Sequence, residues 1–139
     1  MSLLKRVGTI YLPVQHVRNA AVWYEEILGA TINHEDEEKA IVDLADQSFF
    51  LVKSLPGETL NFKDYQGHNR FAMTFEVDGL KRLEEFRDLL LKKGVTVGHV
   101  ENRGHAGRNV VFEDPDGNRF DVWSELSPDF KRRGSRESF

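Results

Sequence analysis

The chain has 139 residues, 40% hydrophobic and 11% aromatic, enough for one ordinary domain with a real core. Charged residues make up 30%, and 23 acids against 19 bases give a net charge of −4, which argues against a nucleic-acid partner because such partners need a basic face. Cysteine is absent, so disulfides, thiolate metal sites and cysteine nucleophiles are excluded. No apolar run approaches a membrane span, and MSLLKRVGTIYLPV lacks the long apolar stretch and cleavage site of a signal peptide. No membrane partner is therefore expected, and the cytoplasm is the default compartment.

VGTIYLPV, residues 7–14, predicts a strand with Ile10, Leu12 and Val14 on one face. Pro13, on the other face, suits an edge or a strand end. VRNAAVWYEEILG, residues 17–29, places Ala20, Ala21, Trp23, Tyr24, Ile27 and Leu28 at helical spacing, with Gly29 as the C-cap. ATINHE, AIVDLA and SFFLVK follow as three short strands, joined by turns at DEEK and at Ala45-Asp46-Gln47. Residues 55–69 hold Pro56-Gly57, Gly67 and many polar residues, the composition of a linker.

Past the linker, Phe71, Met73, Phe75 and Val77 alternate with Arg70, Ala72, Thr74 and Glu76, a strand of period two. LKRLEEFRDLLLKKG, residues 80–94, predicts an amphipathic helix closed by Lys-Lys-Gly. VTVGHV, NVVFED and NRFDVW predict three more strands, the last two joined by a tight turn at EDPDGN, residues 113–118. The order is therefore βαβββ, linker, βαβββ. Val14 matches Val77, Val17 matches Leu80, Trp23 matches Phe86, and GATI (29–32) matches GVTV (94–97). Module one spans about 6–54 and module two 70–126. The polar tail, 127–139, is expected to fray.

VQHVRNAAVWYEEILGA, FAMTFEVDGL and NVVFEDPDGNRFDVW, in that order and spacing, resemble the vicinal oxygen chelate superfamily of glyoxalases, bleomycin-resistance proteins, fosfomycin-resistance transferases and extradiol dioxygenases. The resemblance spans roughly residues 6–126. It implies an α+β fold in which two βαβββ modules form cupped mixed sheets, with helices on the outer faces. Ile10, Leu12, Met73, Phe75, Phe120 and Val122 would then face the helices, while Thr9, Tyr11, Ala72, Thr74, Asp121 and Trp123 would face the cup. Members of this superfamily usually hold a divalent metal with carboxylate and imidazole ligands, leaving positions open for two substrate oxygens. Carried over by position, the four ligand sites fall on Thr9, near Leu51, on Ala72 and on Asp121. Thr is a poor ligand, and Leu and Ala cannot ligate. Asp121 is the one carboxylate retained, so no metal cofactor is expected, although a divalent ion stays open through shifted ligands.

None of His16, His34, His68, His99 and His105 occupies a ligand position, and His105 with Arg108 in RGHAGRN is best placed to overhang the cup. DPDGN lacks the later acids of a calcium loop and reads as a turn. Glu25-Glu26 and Glu84-Glu85 read as solvated helix faces. Thr9, Tyr11, Thr74, Arg108, Asp121 and Trp123 are the candidate ligand-binding residues. A buried Asp121 needs a counter-charge, from Arg119, Arg70 or Arg108. Without one it would favour a cationic ligand, with Trp123 stacking against it. The expected function is metal-free binding of a small molecule, as in the bleomycin-resistance branch. The alternative is a metal-dependent lyase or dioxygenase using His68 or His105. The resemblance also implies a homodimer.

Overall fold

The computed structural model describes residues 2–137. The chain divides into two compact units: the residues up to Leu60 together with Pro115–Asn118, and Asn61–Asp114 together with the chain from Arg119 onward.

In the first unit, β1 (Thr9–Val14), β2 (Thr31–Glu35), β3 (Lys39–Leu44) and β4 (Gln47–Lys53) form one sheet in the order β1-β4-β3-β2. β1 runs parallel to β4, and the other neighbours are antiparallel. Helix α1 (Val17–Leu28) packs on one face. Its stripe of Val17, Ala20, Ala21 and Tyr24 is buried, as are Leu12, Val14, Ala40, Val42, Phe49 and Leu51 of the sheet. The helix stops at Gly29, whose left-handed φ of 76° lets its N–H reach the Glu25 carbonyl at 3.1 Å. Between β3 and β4 the two turn residues, Ala45 (φ 52°) and Asp46 (φ 60°), are both left-handed. A two-residue hairpin demands this conformation, and neither residue is glycine.

Pro115–Asn118 of the DPDGN turn belong to this unit. Asp116 Oδ1 accepts the Gln15 N–H at 3.0 Å, and fully buried Asn118 accepts the Leu60 N–H at 2.9 Å while donating to the Pro13 carbonyl at 3.0 Å. The motif is a turn, as its residues predict, and its side chains satisfy backbone groups around the end of β1.

In the second unit, β5 (Phe62–Lys63) and β6 (Asn69–Arg70) make a small hairpin. β7 (Thr74–Glu76), β8 (Asn109–Glu113) and β9 (Arg119–Trp123) form a sheet in the order β7-β9-β8, with β7 parallel to β9. Helix α2 (Leu80–Lys92) buries Leu83 and Leu90. The sheet's apolar face buries Val110, Phe112, Phe120 and Val122, and Phe75, Phe86, Phe112 and Phe120 stack at 5.3–6.5 Å between ring centres.

Two expectations are corrected. Residues 95–100 do not form a regular strand. The chain pairs with β8 at Val97↔Phe112 and again at Glu101↔Asn109, four residues on one side against three on the other. One extra residue interrupts the ladder, as in a β-bulge. The strand expected from residue 70 is split: Arg70 pairs in β6 with β5, Thr74–Glu76 pair with β9, and the linker 55–69 holds β5 and the start of β6. The tail carries helix α3 (Pro128–Glu137), with Pro128 opening it, Asp129 in its first turn and an Asp129–Arg132 ion pair one turn on. Residues 138–139 of that tail lie outside the described residues.

Candidate functional site

The two faces of the second sheet follow from the period of two. Phe120 and Val122 point to α2, so Arg119, Asp121 and Trp123 point the other way. The pairing then fixes three rows across this concave face. Trp123 lies between Glu76 and Asn109, Asp121 lies between Thr74 and Val111, and Arg119 lies beside Glu113.

Asp121 is the centre of the arrangement and is 5% exposed. Its Oδ2 accepts from Thr74 Oγ1 and from Asn109 Nδ2, both at 3.0 Å. Its Oδ1 receives no hydrogen bond of good geometry and instead faces Arg103 Nη2 at 3.1 Å as an ion pair. Arg103 reaches in from the loop after Glu101 and keeps 30% of its side chain exposed. Its Nε and Nη2 also face Glu101 at 3.3 and 3.4 Å, and its guanidinium lies 5.9 Å above the Phe71 ring centre. Partial burial works to lower the Arg103 pKa, but the Glu101 and Asp121 carboxylates outweigh it and raise the value, so the cation is fixed. Asn109 is 3% exposed, and its Oδ1 has no partner among the described residues.

The loop of residues 103–108 overhangs this floor. Ala106 offers one carbonyl to both Trp123 Nε1 at 2.9 Å and His105 Nδ1 at 2.8 Å. A carbonyl only accepts, so Nδ1 carries the proton and Nε2 of the neutral ring is the acceptor. His105 lies edge-on to Trp123 at 6.2 Å between ring centres. Gly107 makes the approach possible. Its φ is 76°, and a Cβ there would fall 2.7 Å from Trp123 Nε1 and 2.8 Å from Ser124 Oγ.

A cavity of about 380 Å³ is lined by Thr74, Glu76, Arg103, His105, Asn109, Asp121 and Trp123. A second, of about 430 Å³, shares Arg103 and takes in Phe71, Arg70, Arg119, Glu101 and Glu113. Of the six candidate ligand-binding residues, Thr74, Asp121 and Trp123 come together here. Thr9 and Tyr11 sit on the exposed face of the first unit's sheet, where Tyr11 is 64% exposed and packs on Phe50 at 5.1 Å between ring centres. Arg108 does not line either cavity: its N–H goes to Ser124 Oγ at 2.8 Å and its Nη1 to the Gly107 carbonyl at 3.0 Å. The counter-charge to Asp121 is Arg103, not Arg70, Arg108 or Arg119. Arg70 instead pairs with Asp64 at 3.0 Å, and Arg119 with Glu113 at 3.1 Å. Nothing in the periodicity marks Arg103, which sits in an irregular loop. Asn109 was within reach, because it lies two residues before Val111, on the face that Asp121 shares.

A divalent metal does not fit the donor set at the positions carried over from the superfamily. Leu51 pairs with Leu12 in the helix-covered core, so the first unit's exposed face shows Phe50 and Val52 instead. Neither ligates, and Ala72 lies outside the ladder. Asp121 offers the one carboxylate, and a guanidinium already occupies its free oxygen. Among the described residues, no three His, Asp or Glu side chains gather closely enough to hold a metal ion. None of the helices among them is long and apolar enough to cross a membrane.

No curated protein matches the chain in sequence. Solved structures match it in fold. Lactoylglutathione lyase from Agrobacterium tumefaciens aligns at a TM-score of 0.68 and 16% identity, covering 88% of this chain and 95% of that one. The fosfomycin resistance protein FosX from Listeria monocytogenes, in complex with Mn(II) and sulfate, aligns at 0.73 and 14% identity, covering 95% and 99%. TnmS3, an antibiotic binding protein from Streptomyces sp. CB03234, aligns at 0.69 and 22% identity, covering 91% and 100%. Residues 9–123 match the family model of the glyoxalase-like domain, and the chain therefore belongs to that family, within the vicinal oxygen chelate superfamily.

Proposed function

We propose that this protein binds a small molecule on the concave face of the second unit's sheet, without a catalytic metal. One observation carries the reading: both oxygens of Asp121 are committed, to Thr74 and Asn109 on one side and to Arg103 on the other, beside a cavity with an aromatic wall. Six of its seven lining side chains are polar or charged and the seventh, Trp123, is aromatic, a lining that suits a polar ligand with a flat ring. TnmS3, which shares the fold, is described as an antibiotic binding protein and lends support by analogy. The test has two arms. Untagged protein purified without chelator and incubated with Ni, Zn, Mn and Fe(II) should carry no stoichiometric metal. A thermal-shift screen should yield a ligand, which at 100 times its dissociation constant stabilises by about 2.7 kcal/mol. One metal per chain, lost on Asp121→Ala, would sink the metal-free reading.

His105 favours a second reading, a metal-dependent lyase or dioxygenase with shifted ligands, because it lines the same cavity as Asp121. His68 does not join it: it sits 70% exposed beside Asp64, next to β6. Chelator-sensitive activity on a catechol, an epoxide or a thiohemiacetal, lost on His105→Ala, would establish this reading. We further propose a homodimer, on the family resemblance, and the cytoplasm as the default compartment. Light scattering of the eluting protein tests the dimer.

A further inference from the structure

We propose that Arg103 is a fixed cationic anchor for the carboxylate of a flat, aromatic ligand, and this rests on the small-molecule reading above. The guanidinium is held on three sides, by Asp121, by Glu101 and by the Phe71 ring. Those holds are unequal. The Asp121 contact is buried and backed by Thr74 and Asn109. The Glu101 contacts are 3.3 and 3.4 Å long on a side chain that keeps 33% exposure, whereas a good charge-assisted bond is about 2.7–2.9 Å. Glu101, the more exposed of the two carboxylates, is thus the displaceable occupant of the Nε/Nη2 edge, the edge that takes a carboxylate bidentately. Nη1 makes no hydrogen bond among the described residues.

The surroundings select the rest of the ligand. Arg103 borders both cavities, and the larger one sets Arg70, Arg103 and Arg119 against Glu101 and Glu113, one positive charge in surplus. A cationic ligand would have to displace or face this guanidinium, so the condition under which Asp121 would favour a cation, the lack of a counter-charge, is not met. Phe71 lies under the guanidinium on one side and Trp123 walls the other cavity, two flat apolar surfaces beside one anion anchor. Independently, the buried Asn109 Oδ1 lacks a donor, and leaving such an acceptor unpaired costs about 1–3 kcal/mol. Asn109 and Arg103 contact the two oxygens of the same Asp121 carboxylate. Both residues also line the smaller cavity, so a hydroxyl beside the ligand carboxylate is presented to Asn109 there.

The probes are benzoate, 2-hydroxybenzoate, benzamide and benzylammonium, titrated into the intact ¹⁵N-labelled chain and followed by amide chemical shifts. Benzoate should shift residues around Arg103, 2-hydroxybenzoate should bind more tightly, and benzamide and benzylammonium should bind at least about tenfold more weakly. Arg103→Met should weaken benzoate by about tenfold or more, and Glu101→Gln should tighten it by about two- to fivefold by removing the internal competitor. If Arg103→Met does not fold, Arg103→Lys keeps the charge but loses the fork, and a several-fold loss is expected. Unchanged benzoate affinity in Arg103→Lys together with no gain in Glu101→Gln overturns the anchor. Neutral or cationic compounds that bind while carboxylates stay inert overturn the anchor alone. A full screen without a single ligand removes the binding reading beneath it.

Discussion

Replacing Arg103 by Met tests whether the buried Asp121 depends on this one cation. At 3.1 Å and an effective dielectric constant of about 20, the bare Coulomb attraction is about 5 kcal/mol. Three features reduce it. Arg103 keeps 30% of its side chain in water, Glu101 shares its charge, and Asp121 retains two hydrogen bonds after the substitution. Breaking a fully buried pair costs about 3–5 kcal/mol, and a partly exposed one less, so the expected loss is about 1.5–3 kcal/mol. Met keeps most of the stem over Phe71, which limits the packing contribution. The assay is urea denaturation of the wild type, Arg103→Met, Asp121→Asn and the double variant. Once Asp121 is neutral, removing Arg103 should cost about 0.5–1 kcal/mol, so the cycle should return a coupling of about 1–2 kcal/mol. A coupling below about 0.3 kcal/mol would refute the assignment of Arg103 as the counter-charge, whatever the single variants do.

Other outcomes follow from the loops. Gly107→Ala combines a left-handed φ with a Cβ 2.7 Å from Trp123 Nε1, so it should destabilise by about 2–4 kcal/mol and change Trp123 fluorescence. Ala45→Asn with Asp46→Gly places favoured residues in a turn already left-handed at both positions, and should raise stability by about 0.5–1.5 kcal/mol in thermal melts. Asp36 is held at a pKa of about 2, chiefly by His34 and then by the Glu38 and Lys39 N–H groups. Its folded pKa lies below the ordinary 3.8, so its contribution is present above about pH 4 and lost as pH falls towards 2. Carboxyl carbon shifts in an NMR titration check the value, and Asp36→Asn should flatten that part of the acid-unfolding curve. Asn118→Ala removes an acceptor for Leu60 and a donor to Pro13 from a fully buried position, and should cost about 2–4 kcal/mol by urea denaturation.

Where the chain's periodicity is strict, the fold is readable from it. The stripe of Val17, Ala20, Ala21 and Tyr24 is the buried face of α1, and Phe120 and Val122 alternate out of phase with Asp121 because a strand has two faces. The misreadings fall where backbone pairing departs from the side-chain pattern. Phe71, Met73, Phe75 and Val77 do alternate in exposure, yet only Thr74–Glu76 hydrogen-bond to β9. The alternation reports which face is covered and carries no information on which neighbour, if any, pairs with the backbone. Residues 97–101 fail for the converse reason. They do bond to β8, but one inserted residue shifts the register, and a pattern of period two cannot survive that shift.

The site divides along the same line. Thr74, Asp121 and Trp123 were legible because strand register places them on one face. Arg103 was not, because a loop side chain reaches its target by a path that only the folded backbone defines. The Gly-rich run RGHAGR marks the right region, but of its two arginines Arg108 turns its guanidinium back on its own backbone at Gly107. The physics nevertheless demanded something like Arg103 in advance. A carboxylate that is 5% exposed must be paired, and a metal would need donors that Thr9, Phe50, Val52 and Ala72 do not supply. A side-chain cation is another way to hold that charge inside the sheet's concave face, and Arg103 supplies it. Unlike a metal ion, a guanidinium has no vacant coordination positions to offer to a pair of substrate oxygens. It offers directional N–H donors instead, so a cup of this kind is better suited to holding an anion in place than to activating it.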